Sequence, residues 1–531
     1  MKQLLSRRWA LRAAVALGLV VAASVGVRAI IVNDPLVPTH HPSPLEERTL
    51  LADELGVATL HVDQADLLQM VLDGDDFGAF DTAFTLGDLH FGVPFTAVDG
   101  SGANVGEGLR YSRIPRADLA GADEWANHNP PRATGPNGNA CSECHNKPFE
   151  DGAGGPMAVV HRDPLHSSDM GQMITRTPPH IFGSGAVQLL AEEMTKELRK
   201  IRRDAVAEAN NTATDVTVPL VTKGVDYGTL TARPGDTNQT VDTSGVVGVD
   251  PDLVVRAFGW KGVNASLRDF NRGAMHNELG MTPTELVGVG VDSDGDGVVN
   301  EMTVGDITAL TVYNAAQARP TTMTELSDFG LMPALPAASR DAIERGNQRF
   351  RDIGCATCHI EEFTLGDVIY REPSSTRPFR DGNNFPSGES PLAAGLDPAN
   401  PVSFDITADI IDNLVFLDSG AIFGMGNFET DADGNAIVRL FGDMKRHDMG
   451  PGLAENIDEI GTGASVWLTE PLWGVGSTPP YMHDGRATTL TEAILEHGGE
   501  GQASKDAFEA LSMAEKADLI AFLNNLVLMK M

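Results

Sequence analysis

Cys141-Ser-Glu-Cys144-His145 and Cys355-Ala-Thr-Cys358-His359 decide how this chain of 531 residues is read. Together they use all four of its cysteines. Each is the C-x-x-C-H pattern of covalent c-type haem attachment, in which two thiols take the vinyl groups and the histidine that follows takes the iron. An exported chain of this size would ordinarily pair four cysteines as two disulfides. Structural zinc sites and redox dithiols also use closely spaced cysteines, but neither requires a histidine directly after both pairs. The expectation is therefore two covalently attached c-type haems, with His145 and His359 as iron ligands.

The second motif has a legible frame. Glu344-Arg345-Gly346-Asn-Gln-Arg-Phe350-Arg-Asp-Ile-Gly354-Cys355 places Phe350 on a helix running into the motif, as in small cytochromes c. The chain ends with a capping box, Ser512-Met-Ala-Glu515, followed by Leu519, Ile520, Phe522, Leu523 and Leu526 at helical spacing. A cytochrome c domain is expected over residues 339–531. The first motif lies between Gly135-Pro136-Asn137-Gly138-Asn139 and Asp151-Gly-Ala-Gly-Gly155, so it reads as set in loops. It would belong to an N-terminal haem domain over 85–338, preceded by a Pro- and Asp-rich lead-in over 30–84 with one apolar helical stretch near Leu67 to Leu72. Within it Met194 to Arg203 reads as helix and Asp215 to Val249 as short Thr/Val/Gly-rich strands, giving a β insertion over about 195–250. The expected fold is mainly α, with two cytochrome c-like haem domains, long loops and a small β insertion.

Composition narrows the function. With 42% hydrophobic and 21% charged residues the chain can bury more than one core. Its formal charge of −35 repels phosphate backbones and excludes a nucleic-acid partner. Lys2, Arg7, Arg8 and Arg12 precede an uncharged run from Ala13 to Val27, so residues 1–29 read as a signal peptide. Its removal takes five basic residues and no acidic one, lowering the charge from −35 to −40. Periplasmic localisation follows; an uncleaved N-terminal anchor is the competing reading.

Several stretches then converge on one family: His447-Asp-Met-Gly-Pro451, Pro471-Leu-Trp-Gly-Val-Gly476, Tyr481-Met-His-Asp-Gly-Arg-Ala487 and Glu492-Ala-Ile-Leu-Glu-His-Gly-Gly-Glu500. They resemble the bacterial di-haem oxidoreductases, described as peroxidases and also called thiol oxidoreductases. This is a branch of the superfamily of di-haem cytochrome c peroxidases and the methylamine dehydrogenase maturation enzyme. The likeness runs from about residue 85 to the C-terminus and is most specific in the last 100 residues. It implies that the N-terminal haem meets peroxide while the C-terminal haem, with two axial ligands, handles electrons. Phe258-Gly-Trp260-Lys-Gly262 with Ser266-Leu267 is similar to the family's tryptophan run, making Trp260 the inter-haem candidate. Asn277-Glu278-Leu-Gly280 makes Glu278 the candidate acid of the peroxide pocket, with neighbouring His276 as substitute. Met482, His483 and His497 compete as the second ligand of the C-terminal haem. In the resembling peroxidases the axial residue follows the histidine of the His-x-Gly turn by 14 positions, which from His483 lands on His497. Relatives place methionine or tyrosine there, so His497 implies a bis-histidine haem. His161, 16 residues past His145, has the spacing of the distal histidine some relatives keep. His166 and His180 read as structural or exposed.

Peroxide cleavage at iron needs an open face, a base to move a proton between the oxygens, and a store for two oxidising equivalents. The leading reading is a periplasmic di-haem peroxidase or peroxide-dependent oxidase, acting with hydrogen peroxide or another small oxidant and a periplasmic electron donor or protein substrate. A di-haem electron carrier without peroxide chemistry is the runner-up. Finally, Asp292-Ser-Asp294-Gly-Asp296-Gly297-Val-Val-Asn300 matches the first half of a calcium loop, with Thr303 where the bidentate glutamate belongs. Asp292, Asp294 and Asp296 are the calcium-ligand candidates, and Glu301 or Asp306 could complete the shell.

Overall fold

A computed structural model describes residues 60–101, 137–165, 170–408, 414–416, 422–424 and 426–528. The expected signal peptide, most of the lead-in and His166 lie outside the described residues. Among the described residues no helix is long and apolar enough to cross a membrane.

Local signals set the helix starts. Asp63 and Asp75 cap Gln64–Leu72 (α1) and Asp76–Gly92 (α2) by accepting the amides of Ala65 (2.9 Å) and Gly78 (3.1 Å). After the first motif, Val160–Arg162 (β1) pairs antiparallel with Ile174–Arg176 (β2). Ser184–Thr212 (α3) buries Leu190, Met194, Leu198, Ala205 and Ala209 at helical spacing, each large side chain contributing about 1.5–3 kcal/mol. Helix α3 then leads into the antiparallel hairpin of Val216–Thr222 (β3) and Val225–Ala232 (β4). The expected β insertion is thus corrected: its first part is helix to Thr212, because that apolar stripe has period 3.6 rather than 2. Leu267–Glu278 (α4) is capped by Ser266, and Val304–Ala315 (α5) by a Thr303–Asp306 capping box. Ala337–Asp352 (α6) runs into the second motif. Leu490–Glu496 (α7) and Met513–Asn525 (α8) start at the capping boxes Thr489–Glu492 and Ser512–Glu515.

Two helix pairs repeat one construction. Helices α6 and α8 pack where Gly346 lies on α8; a Cβ there would sit 2.0 Å from the carbonyl oxygen of Asp518. Four residues on, Phe350 packs on Phe522 of α8 (centroids 5.4 Å) and on the ring of His359 (6.4 Å). Helices α2 and α5 do the same: a Cβ on Gly87 would sit 2.2 Å from the carbonyl of Ala309, and Phe91 packs on Tyr313 (5.5 Å) and His145 (5.9 Å). The chain therefore places a closely packed helix pair beside each Cys-x-x-Cys-His segment. The first motif is local loop, as expected, but it leans on the C-terminal end of α2, where Ser142 donates to the carbonyl of Gly92 (3.2 Å).

Three cores result. One joins α1, α2 and α5; another surrounds α6 and α8 with Phe441, Leu490 and Phe508. The third combines α3 and its hairpin with residues 363–444 and Trp473, so it draws on both sides of the position where the sequence suggests a domain boundary.

Candidate functional site

At the second motif, Gly354 adopts a left-handed φ of +86° and turns the chain from α6 into a single 3₁₀ turn, Cys355–Thr357, that delivers His359. Nδ1 of His359 donates to the carbonyl of Phe441 (3.1 Å), which leaves Nε2 as the lone-pair nitrogen. His497 follows α7 directly, one residue beyond the helix rather than on its last turn, and its Nδ1 donates to the carbonyl of Ala493 (2.9 Å). The two rings face one another with centroids 6.4 Å apart. Two imidazoles on opposite sides of one metal, each nitrogen about 2 Å from it, need a spacing of about this size. Burial pushes His359 down to about 4 and also lowers His497, so both are neutral, the form that ligates. Close by, His447 is clasped between Asp443 and Glu500 at 2.8 Å each. Burial alone would lower it, but Asp443, Cys358 and Glu500 raise it to about 11, so it is a buried imidazolium.

At the first motif a matching 3₁₀ turn, Cys141–Glu143, delivers His145, which burial keeps neutral. Its Nδ1 is buried without a hydrogen-bond partner. None of the four cysteines is in a disulfide, and burial pushes the thiols of Cys141 and Cys355 up to about 12 and about 11.

A single apolar cavity of about 610 Å³ is lined by His145 at one end and by Cys355, Cys358, His359 and His497 at the other. Trp260 and Trp473 also line it. Trp260 donates its indole N–H to the carbonyl of Thr177 (2.8 Å) and meets His483 edge-on (centroids 6.4 Å). His483 in turn stacks on Trp467 at 3.8 Å, and Lys261 covers that indole from 3.7 Å while donating to the carbonyls of Gly463, Ala464 and Val466. His483 is thus occupied as part of an aromatic stack, whereas His497 is the ring that faces His359. An apolar cavity bounded at each end by a neutral imidazole next to unbridged thiols fits haem at both motifs.

Other expected residues fall elsewhere. His161 is on β1, paired with Thr175 across the hairpin, and does not line the cavity. His180, expected to be structural or exposed, does line it, and its Nε2 donates to the carbonyl of Trp473 (2.9 Å). Glu278, at the end of α4, is half-buried outside the cavity, and accepts from Nδ2 of Asn137 (2.5 Å), four residues before Cys141. His276 is buried against Met281. Asp292, Asp294 and Asp296 bring carboxylate oxygens within 4.8 Å of one another. Of the residues expected to complete that shell, Glu301 lies close enough to Asp294 and Asp296 for their charges to raise its carboxyl. Glu301 accepts from the amide and hydroxyl of Thr282, and Asp306 accepts from His61, Val62 and the Thr303 amide.

The helix pair beside the first motif is not anticipated by the sequence reading. Its signal is Gly87-x-x-x-Phe91, the same spacing as Gly346-x-x-x-Phe350, but it lies 50 residues upstream of Cys141 rather than immediately before it.

Comparison with known proteins gives first the class. Residues 410–526, a stretch that includes His447, His483 and His497, match the model of the family described as "Di-haem oxidoreductase, putative peroxidase", and this part of the chain is similar to those haem oxidoreductases. Among solved structures, the chain is similar to the hydrazine synthase of Kuenenia stuttgartiensis, with 17% identity and a TM-score of 0.20 over 42% of this chain. The match spans 55% of the length of that synthase chain. It is also similar to a MauG-like protein associated with microbial copper homeostasis, with 18% identity and a TM-score of 0.24 over 50% of this chain and 68% of that one. No curated protein sequence matches it significantly.

Proposed function

We propose that the chain is a periplasmic di-haem c-type oxidoreductase that reacts with hydrogen peroxide, or another small oxidant, at its first motif and exchanges electrons at its second. The observation that carries this reading is the shared apolar cavity with a motif histidine at each end. Cys141 and Cys144 would hold one haem covalently, with His145 on its iron; Cys355 and Cys358 would hold the other between His359 and His497. Bound there, the haems supply peroxide cleavage and storage of oxidising equivalents. The protein's own part is positioning. The Phe441 and Ala493 carbonyls fix the two imidazoles of the second site, and β1–β2 hold His161 off the cavity. Trp260, which lines the shared cavity and is pinned by the Thr177 carbonyl, is the proposed route for electrons. Glu278, tied through Asn137 to the first motif, is the proposed proton-moving acid. Calcium at Asp292, Asp294 and Asp296 is proposed from the convergence of their oxygens. The donor or substrate is a periplasmic redox partner or protein side chain.

Covalent attachment is tested by iron content and by haem staining after denaturing electrophoresis of mature protein. Two irons per chain and retained stain are expected, with one haem left in Cys355→Ala/Cys358→Ala. Free thiols at the four cysteines would overturn the proposal.

A further inference from the structure

Glu470 stands two residues past the strand Val466–Leu468 and lines the same cavity. The two residues that follow it pack on the segment that holds His359. The amide of Leu472 donates to the carbonyl of Phe441 (3.2 Å), the same carbonyl that accepts from His359, and Gly442 lies against Pro471, whose Cα is 3.6 Å from where a Cβ would be. Among the described residues its carboxyl has no hydrogen-bond or ion-pair partner, and burial is the sole influence on its proton affinity. This separates it from the other acid of the cavity, Glu500, which is tied to His447. Other titratable groups around the cavity offer it little: His145, His359, His497, His180 and His483 are held neutral by burial, and burial raises Cys355 to about 11 and Tyr481 to about 12. His447 spends its charge on Asp443 and Glu500, leaving Lys505 as the other cation of the lining. Glu470 is half-buried, and the desolvation its carboxyl meets in the cavity raises it to about 7, so near neutrality a small change in local potential shifts its proton occupancy.

We propose that Glu470 is the proton acceptor coupled to electron arrival at the C-terminal haem. When a one-electron donor reduces the iron, one electron enters and the Glu470 carboxylate takes one proton from solvent; when the iron is oxidised again, that proton returns. No other bond is made or broken. The physical cause is that an added electron in a low-dielectric cavity makes an unpaired carboxylate costlier, and by reciprocity protonation of the carboxyl favours the reduced iron. This inference rests on the reading that His359 and His497 hold a haem.

The test is a spectroelectrochemical titration of the full di-haem protein at pH values on both sides of neutrality, with reduced-minus-oxidised infrared difference spectra. In wild type the C-terminal haem should lose potential as pH rises, and reduction should bring up a protonated-carboxyl band. Glu470→Gln should flatten that dependence and abolish the band without changing the N-terminal haem, and Glu470→Asp should keep both. A Glu470→Gln protein with both haems bound and wild-type pH dependence would overturn the proposal. If Glu470→Gln fails to load haem, the wild-type band decides: no carboxyl change on reduction overturns it. Wild-type protein without haem at the second motif, visible before any potential is measured, would overturn the di-haem reading and this inference with it.

Discussion

At the residue scale, the second site makes the sharpest claim. His497 is oriented by the Ala493 carbonyl and faces His359 across 6.4 Å, while its competitor His483 is held in a stack with Trp467. His497→Ala should turn the C-terminal haem high-spin and leave the N-terminal haem unchanged in electronic and paramagnetic resonance spectra; a C-terminal haem that stays low-spin would return the role to Met482 or His483. Trp260→Phe keeps an aromatic ring but loses the indole N–H that reaches Thr177. Peroxide should still bind in this variant, but oxidation of the C-terminal haem on reaction at the first should be lost in stopped-flow spectra. Glu278→Gln should preserve both haem spectra and slow the peroxide reaction by roughly 10², the scale of a positioned general base. An unchanged rate would move that role elsewhere. The two Cys-x-x-Cys-His segments and the spacing that picks out His497 are local features, so the sequence alone singles them out. His180, Trp473 and Glu470 are not singled out in this way, since what distinguishes them is a shared cavity assembled from distant segments.

At the element scale, each motif depends on a helix pair closed over a glycine. Gly346→Ala would push a methyl into the carbonyl of Asp518, so it should destabilise the α6–α8 pair by about 1–3 kcal/mol or more, the cost of overpacking. Chemical unfolding followed by far-ultraviolet circular dichroism would measure it, and Gly87→Ala should behave alike at α2–α5. The start of α5 predicts a pH dependence. Burial alone would raise Asp306, but His90 and His61 beside it, together with the capping-box amide, hold it below its ordinary carboxylate value. A depressed carboxyl contributes stability above its unfolded pKa and loses it as pH falls. Asp306→Asn should therefore destabilise the protein at neutral pH, and its melting temperature should converge with wild type in acid. The Ser512–Glu515 capping box and the apolar stripe after it make α8 readable from the sequence. Helix α3 was underestimated because its last turns, Glu208-Ala-Asn-Asn-Thr212, carry polar residues with poor helix propensity and are held by only one buried alanine, Ala209.

At the scale of the whole molecule, two motifs predict two haem domains divided at residue 339, but the packing of the described residues crosses that position. Residues 363–444 complete a core around α3, so the segment after the second motif packs on elements that precede it. Sequence pattern gives no register for such long-range packing, and the apolar cavity between the units is its product. The central claim is that this cavity couples a peroxide-reactive haem to an electron-storing one. Titration of the resting ferric protein with hydrogen peroxide, followed by optical and paramagnetic resonance spectra, tests it most directly. The account predicts a high-spin component that is consumed by peroxide, accompanied by oxidation at the low-spin C-terminal haem. Two low-spin haems whose spectra do not change on adding peroxide would contradict it and leave an electron carrier.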